Sequence, residues 1–207
     1  MDIAREALAI ASIRRATADR HTALEAVLQL TPSFSYRRYL EALRGFELFL
    51  SIWEPRIDVA LPSGLRHWFA SRSRRGLLQR DLNRLDNERM TPDDVKRGCE
   101  QAVSEIELSG VASTFGSLYV LEGSALGGQV LARMARETLG LDADNGAAYF
   151  NGIDRHTAAG WTAFRGLLED QVGIEPAARR QACEAARQTF DALITTFTSL
   201  CRERAAA

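Results

Sequence analysis

Two residues one helical turn apart, His21 and Glu25, have the types and spacing to bind a metal. The segment around them, from about Asp2 to Leu30, has no glycine or proline and is rich in Ala, Leu, Arg and Glu, which predicts a helix. A carboxylate that accepts a hydrogen bond from one imidazole nitrogen leaves the other nitrogen free for a metal. The alternative is a core histidine satisfied by a local glutamate.

The apolar pattern of this helix predicts that the histidine lies on a buried face. One stripe contains Ile10, Ile13, Thr17, His21, Leu24 and Leu28. The spacing of three and four residues is that of a helix packed on one side. The helix by itself leaves the metal ligand and the core histidine both open.

A second stretch, from Gly116 to Leu131, keeps helical apolar spacing but contains four glycines. Each glycine inside a helix costs about 0.5–1 kcal/mol relative to alanine, so Gly123, Gly127 and Gly128 need a reason. Glycines let a helix bend and let a flat ligand touch the backbone. They also allow close packing between helices, and the stretch by itself favours neither explanation.

Composition and charge restrict the class of protein. The chain has 207 residues, 46% of them hydrophobic, and a net charge of -1 from 26 basic and 27 acidic residues. This balance gives no general attraction to nucleic acid or to an anionic membrane. Cys99, Cys183 and Cys201 have neither the number nor the spacing of a disulfide framework or a zinc site. With no leader peptide or membrane span in the pattern, we expect a cytoplasmic protein.

The remaining segments predict further helices and no strand, so we expect an all-α fold, a single compact helical bundle with one domain over residues 1–207. The predicted helices are Tyr36 to Trp53 (ended by Pro55), Leu65 to Ser71, Leu77 to Leu85, one beginning at Thr91-Pro-Asp-Asp, the glycine-containing helix to Leu139-Gly140, His156 to Gln171, and one introduced by Gly173 and Pro176 that runs to Arg202.

A basic run occupies the middle of the chain, at Arg66, His67, Arg72, Arg74, Arg75 and Arg80. Such a run is usually a solvated face, and the alternative is a docking surface for an acidic partner. His67 has no carboxylate one turn away, and His156 lies at a helix start, where a cap or loop contact is expected. Both are weaker ligand candidates than His21.

These segments together carry a resemblance. Tyr119-Val-Leu-Glu-Gly-Ser-Ala-Leu-Gly-Gly-Gln-Val-Leu131 resembles the distal-helix signature of haem oxygenases, especially the bacterial biliverdin-producing type. Ala16-Thr-Ala-Asp-Arg-His-Thr-Ala-Leu-Glu25 resembles the family's proximal helix, with His21 at the iron ligand and Glu25 at its hydrogen-bond partner. Pro176, Phe190 and Phe197 keep family-like spacing, so the similarity runs from about Ile13 to Leu200.

The resemblance implies a haem between the proximal helix and a Gly-kinked distal helix, with its iron bound by His21. Haem would be both cofactor and substrate. The backbone at Gly123, Gly127 and Gly128 would lie against the oxygen-binding face, which glycine permits. Ser124 stands where the mammalian-type pattern often has an aspartate that organises a water, and its hydroxyl can still anchor one. Bacterial relatives have a similar Gly-Ser-x-Leu-Gly-Gly.

Other residues are expected to hold the haem edge. Two propionates need cations, because a carboxylate is costly to bury unpaired. Arg14 matches a basic position of the proximal helix and is the first choice, whereas Arg133 and Arg165 are either helpers or ordinary surface residues. Phe190 is expected to contact the haem edge, and Thr17 to lie beside the haem.

The expected activity is O2-dependent opening of haem to biliverdin with release of iron and CO. The chain has no flavin or nicotinamide motif, so electrons would come from a separate reductase or ferredoxin. Biliverdin would supply a phytochrome or another acceptor, or the reaction would recover iron. The alternatives are a non-catalytic haem-binding or haem-carrier protein on the same fold and a helical interaction module without haem.

Overall fold

The computed structural model describes residues 9–30, 34–85, 91–152 and 157–206. In these ranges the chain forms ten helices and no strand, which confirms the predicted all-α class. In chain order the helices are α1 (Ala9–Ala16), α2 (Ala18–Leu28), α3 (Tyr36–Ala60), α4 (Ser63–Ala70), α5 (Arg75–Leu85), α6 (Asp93–Ser104), α7 (Val111–Leu139), α8 (Ala148–Asn151), α9 (Thr157–Val172) and α10 (Pro176–Ala206). Among the described helices, none has an apolar stretch long enough to cross a bilayer.

Helix α10 lies at the centre and packs most extensively against α7, the glycine-containing helix. A Cβ atom at Gly116 would overlap the backbone of Ala182, so only glycine fits where the two helices cross. Beside this crossing, the hydroxyls of Ser117 and Thr189 are hydrogen-bonded at 2.7 Å, and the Trp53 indole donates to Ser117 at 2.9 Å. Both hydroxyls are fully buried, so this polar contact fixes α3, α7 and α10 relative to one another.

The first predicted helix is divided in two at Thr17, which we did not expect. Thr17 has φ −118° and ψ 4°, outside the helical range. Its hydroxyl donates to the carbonyl of Ile13 at 2.9 Å, a bond that bends helices. Arg187 of α10 donates to the Ala16 carbonyl at 3.0 Å, where a continuous helix would place a backbone N–H. The break therefore lies one turn before His21.

Helix α3 continues past Pro55, where we expected it to end. A proline inside a helix removes a hydrogen bond and normally costs about 3 kcal/mol. Here Trp53 and Ile57 are both buried, on either side of the proline, and Leu61 is buried at the end of the same face. Burial of these apolar side chains offsets the lost bond. The aromatic side chains of α3 between Tyr39 and Trp53 belong to the core, with Tyr39 fully buried, whereas Tyr36 is exposed.

Aromatic rings connect α4, α7 and α9. Trp68, Phe115 and Phe164 stack with ring centroids 6.1–6.4 Å apart. The stack continues through Trp161, 5.7 Å from Phe164, to Tyr119, 5.9 Å from Trp161. This contact holds α9 against the part of α7 that leads into its glycines.

Candidate functional site

The His21 imidazole lies on the open side of α2. Its Nδ1 is 3.6 Å from a carboxylate oxygen of Glu25, and the two side chains are 62% and 68% exposed. The prediction that His21 lies on the buried face is therefore wrong. Helix α2 packs through Leu24, which is buried, and His21 stands at the edge of that stripe, where its ring meets the Phe190 ring edge to face with 6.0 Å between centroids. With Nδ1 directed at a carboxylate, Nε2 is available to a ligand.

The three glycines of the predicted site have three different surroundings. A Cβ at Gly127 would meet nothing within 4 Å, and this position is exposed. A Cβ at Gly128 would lie 3.2 Å from the Phe150 carbonyl oxygen, so this glycine allows α8 to approach α7. A Cβ at Gly123 would lie 3.7 Å from the Trp161 ring. Helix packing thus accounts for Gly128, whereas the position of Gly127 is open.

Ser124 is held by its own helix. Its hydroxyl donates to the Leu121 carbonyl at 2.7 Å, a bond within one turn of α7. A hydroxyl has one hydrogen, so while this bond is made Ser124 can accept a hydrogen bond from a water but cannot donate one. Helix α7 is helical without interruption from Val111 to Leu139, so any bend at its glycines lies within a continuous helix.

Tyr119 of α7 interacts with residues of α1 and of α9. Burial raises the pKa of Tyr119, and the positive charge of Arg14 acts in the opposite direction, so the exposed Arg14 guanidinium is near the phenol. Tyr119 in turn contacts Trp161, the residue that lies against Gly123. Thr17 is only 2% exposed, and its hydroxyl donates to the Ile13 carbonyl of α1. Its side chain therefore stabilises the break between α1 and α2.

The remaining predicted residues are on the surface or outside the described ranges. Arg133 on α7 and Arg165 on α9 are exposed. Arg133 is six residues beyond Gly127, and Val130, halfway between them, is 52% exposed, so these positions continue the open face of α7. His67 is exposed on α4, and His156 lies outside the described residues.

The centre of the basic run is not a solvated face. Arg72 donates to both carboxylate oxygens of Glu122 on α7, with Nε 2.7 Å from Oε1. Arg74 donates to the Leu121 carbonyl at 2.8 Å. These internal partners also leave Arg72 and Arg74 unavailable to an acidic partner. The sequence contained one signal for this contact, because Glu122 is a lone carboxylate in an apolar helical run and needs a buried partner.

Solved structures of haem oxygenases share the fold of this chain. The haem oxygenase of Leptospira interrogans has a TM-score of 0.76, covers 92% of this chain and 98% of its own, and is 16% identical in sequence. Heme oxygenase-1 of the cyanobacterium Synechocystis, solved in complex with haem, has a TM-score of 0.73, covers 96% of both chains, and is 18% identical. At such identities the likeness shows a shared fold, the haem oxygenase fold.

Sequence similarity assigns the family. The family model described as "Heme oxygenase" matches residues 7–199. A haem oxygenase of Xanthomonas campestris pv. campestris is 35% identical over 155 residues, which cover 74% of this chain and 81% of that protein. The chain therefore belongs to the haem oxygenase family, and its activity is that of a haem oxygenase, an oxidoreductase that degrades haem.

Proposed function

We propose that the chain opens haem to biliverdin and releases iron and CO, using O2 and electrons from a separate donor. The observation that carries the proposal is the accessible imidazole of His21 with Nδ1 directed at Glu25. A histidine oriented in this way presents Nε2 to iron as a neutral ligand. Bound haem supplies both the iron that activates O2 and the porphyrin that is opened.

The described residues fit a haem beside α2 and α7. The His21 side chain is 62% exposed, and the backbone at Gly127 is open, so none of the residues that the structure describes blocks either proposed contact. Phe190 supports the imidazole from the core, since its ring is buried and meets the His21 ring edge to face. Arg14, close to Tyr119, is the proposed partner of a propionate, with Arg133 and Arg165 as further candidates.

Three residues of α7, Gly123, Ser124 and Gly127, would act on the face of the haem opposite His21. Gly127 lets the backbone approach the ligand, because no side chain intervenes. Gly123, which lies next to Trp161, would let the backbone approach the ligand in the same way. Gly128 allows α8 to pack closely against α7. Ser124 accepts a hydrogen bond from a water and holds it near this face, while the donors for proton transfer come from that water and its neighbours.

We further propose a single-domain cytoplasmic enzyme that receives electrons from a reductase or ferredoxin and passes biliverdin to an acceptor such as a phytochrome. One contiguous core of buried apolar residues supports the single domain. The three cysteines are free thiols, which fits a reducing compartment.

The test is reconstitution with haem, a reductant and air, followed by visible spectroscopy and chromatography of the product. Wild type is expected to bind haem and form biliverdin. His21→Ala should lose the spectral signature of an axial histidine and form no biliverdin, because the iron loses its protein ligand. His67→Ala is the matched control, since His67 is also exposed but has no neighbouring carboxylate in the predicted pattern.

Either of two results would refute the assignment. Persistence of the haem band without biliverdin in wild type would make the protein a haem carrier. Loss of the histidine signature in His67→Ala but not in His21→Ala would move the iron ligand to α4.

A further inference from the structure

Behind Gly123, on the side of α7 that faces the core, charged side chains connect α7, α3 and the loop between α4 and α5. We define the distal turn as residues 121–124 of α7 and the arginine loop as residues 71–74 between α4 and α5. Arg72 of this loop reaches Glu122 with a two-pronged contact, and Glu122 is only 7% exposed. A bidentate arginine–carboxylate pair sets orientation as well as distance, which a single ion contact does not.

Arg72 also contacts α4 and α9. Its guanidinium lies over the Trp68 ring, 5.3 Å from the centroid. A Cβ at Gly160 would lie 3.4 Å from the same guanidinium, so α9 packs closely against it. Gly160 precedes Trp161, the residue that lies against Gly123. One guanidinium therefore supports both partners of the contact between Gly123 and Trp161.

The arginine loop is itself anchored. The Ser73 hydroxyl donates to the Glu54 carboxylate of α3 at 2.8 Å. Arg74 donates to the Leu121 carbonyl at 2.8 Å, and the Ser124 hydroxyl bonds to the same oxygen at 2.7 Å. The loop is thus tied to α3 at one point and to the distal turn at two, which makes it a rigid link between core and turn.

A helix with glycines at 123, 127 and 128 needs such a link. Glycine widens the backbone freedom of the turn, and a Cβ at Gly127 would meet no atom of the described residues within 4 Å. A buried Glu122 without Arg72 would be an uncompensated charge. The ion pair therefore holds the orientation of the distal turn about the axis of α7. The hydrogen bond to Glu122 raises the pKa of Arg72, whereas burial opposes it, so the guanidinium stays charged.

We propose that Arg72, through its ion pair with Glu122, is a positioning residue for the haem oxygenase reaction, which sets the rotation of the distal turn against bound haem. The inference rests on the proposed function. Arg72 acts from the core side and touches neither the imidazole nor the open face at Gly127. Its loss should therefore affect turnover more than haem affinity.

The experiment compares Arg72→Lys with wild type and with Arg80→Met, a matched control in the same basic run. Arg80 donates to the backbone carbonyl of Ala143, which lies beyond the end of α7, and Arg80 is exposed. Lysine keeps the positive charge but cannot make the bidentate contact with Glu122. In the haem-free protein, amide exchange in the distal turn should become about tenfold faster in Arg72→Lys, the worth of one charge-assisted hydrogen bond. In the haem-loaded enzyme, kcat should fall about tenfold with KM nearly unchanged.

A double variant, Arg72→Met with Glu122→Leu, separates positioning from stability. Apolar residues of similar size often replace a buried ion pair without loss of stability, so its unfolding free energy should return to within about 1 kcal/mol of wild type. Its kcat should stay low, because the directional contact is absent. Wild-type kcat in the double variant, or wild-type exchange at the distal turn in Arg72→Lys, would overturn the proposal. Failure of the proposed function would look different, since wild type itself would then form no biliverdin.

Discussion

At the scale of single residues, the four glycines of α7 differ in what a methyl group would meet. Gly116 lies against the α10 backbone, Gly128 against Phe150 and Gly123 against Trp161, whereas Gly127 opens to solvent. Helix propensity alone would favour alanine at all four positions. At Gly127, and at Gly123 where the contact would be an ordinary one, the described residues leave room for a methyl group, and we propose the ligand contact as the reason for glycine at Gly127.

Gly127→Ala should therefore separate stability from activity. We expect the haem-free variant to be more stable by about 0.5–1 kcal/mol, the helix-propensity gain, because the new methyl meets no atom. Its kcat for biliverdin formation should fall about tenfold or more, since the methyl would intrude on the ligand face. Urea unfolding and product chromatography measure the two effects.

Gly166→Ala on α9 is the control, because Gly166 is also exposed and also has no atom within 4 Å of its Cβ position. It should show the same gain in stability and unchanged turnover. If Gly127→Ala and Gly166→Ala both kept the wild-type kcat, Gly127 would not be part of the site.

At the scale of elements, the orientation of the site depends on two local features of helices. The break at Thr17 separates α1 from α2, so Arg14 and His21 do not lie on one continuous helix face. The crossing of α7 and α10 at Gly116 sets how close the glycine-containing helix lies to the helix that carries Phe190. Both features depend on contacts with α10, through Arg187 and through Ala182.

Gly116→Ala should destabilise the protein by about 3 kcal/mol, because the added methyl overlaps the Ala182 backbone and the two helices must separate. Urea and thermal unfolding measure the loss. Gly98→Ala on α6 is the matched control. Its Cβ would meet only the Ser199 hydroxyl oxygen at 3.9 Å, an ordinary contact, so stability should stay equal or rise. A Gly116→Ala variant as stable as Gly98→Ala would show that the crossing tolerates a side chain.

At the scale of the whole molecule, the charges that are enclosed beneath α7 make stability depend on pH. Burial raises the pKa of Glu54 above its ordinary value of 4.5, and Ser73, Arg75 and Arg74 lower it in part. A raised pKa means that the folded protein holds this proton more tightly than the unfolded chain does. The contribution of Glu54 to stability is therefore fully present below the ordinary value and is lost as pH rises through the folded value.

Glu54→Gln tests this dependence, because glutamine keeps an oxygen for the Ser73 hydroxyl and does not ionise. The unfolding free energy of wild type minus that of the variant should fall as pH increases from about 4 to about 7, measured by urea unfolding at each pH. A difference that is flat or rises with pH for Glu54→Gln would contradict the pKa direction.

The all-α class, most helix positions and the residues of the haem oxygenase signature followed from the sequence alone. Helical periodicity is local, and the cap glycine at 140 ends α7 where the pattern predicted, with φ 69°. The pairing of His21 with Glu25 is also local, since it needs only one turn of helix. These features depend on residues that are near one another in the chain.

Contacts between distant parts of the chain decided the rest. The break at Thr17, the helix that continues through Pro55, the exposure of His21 and the inward direction of Arg72 all depend on which element packs beside each residue. The same holds for the glycines, because whether a methyl would meet backbone, ring or open space is a property of the neighbouring helix. The local sequence pattern indicates which conformations a segment favours. The packing free energy between segments determines which of these conformations the folded chain adopts.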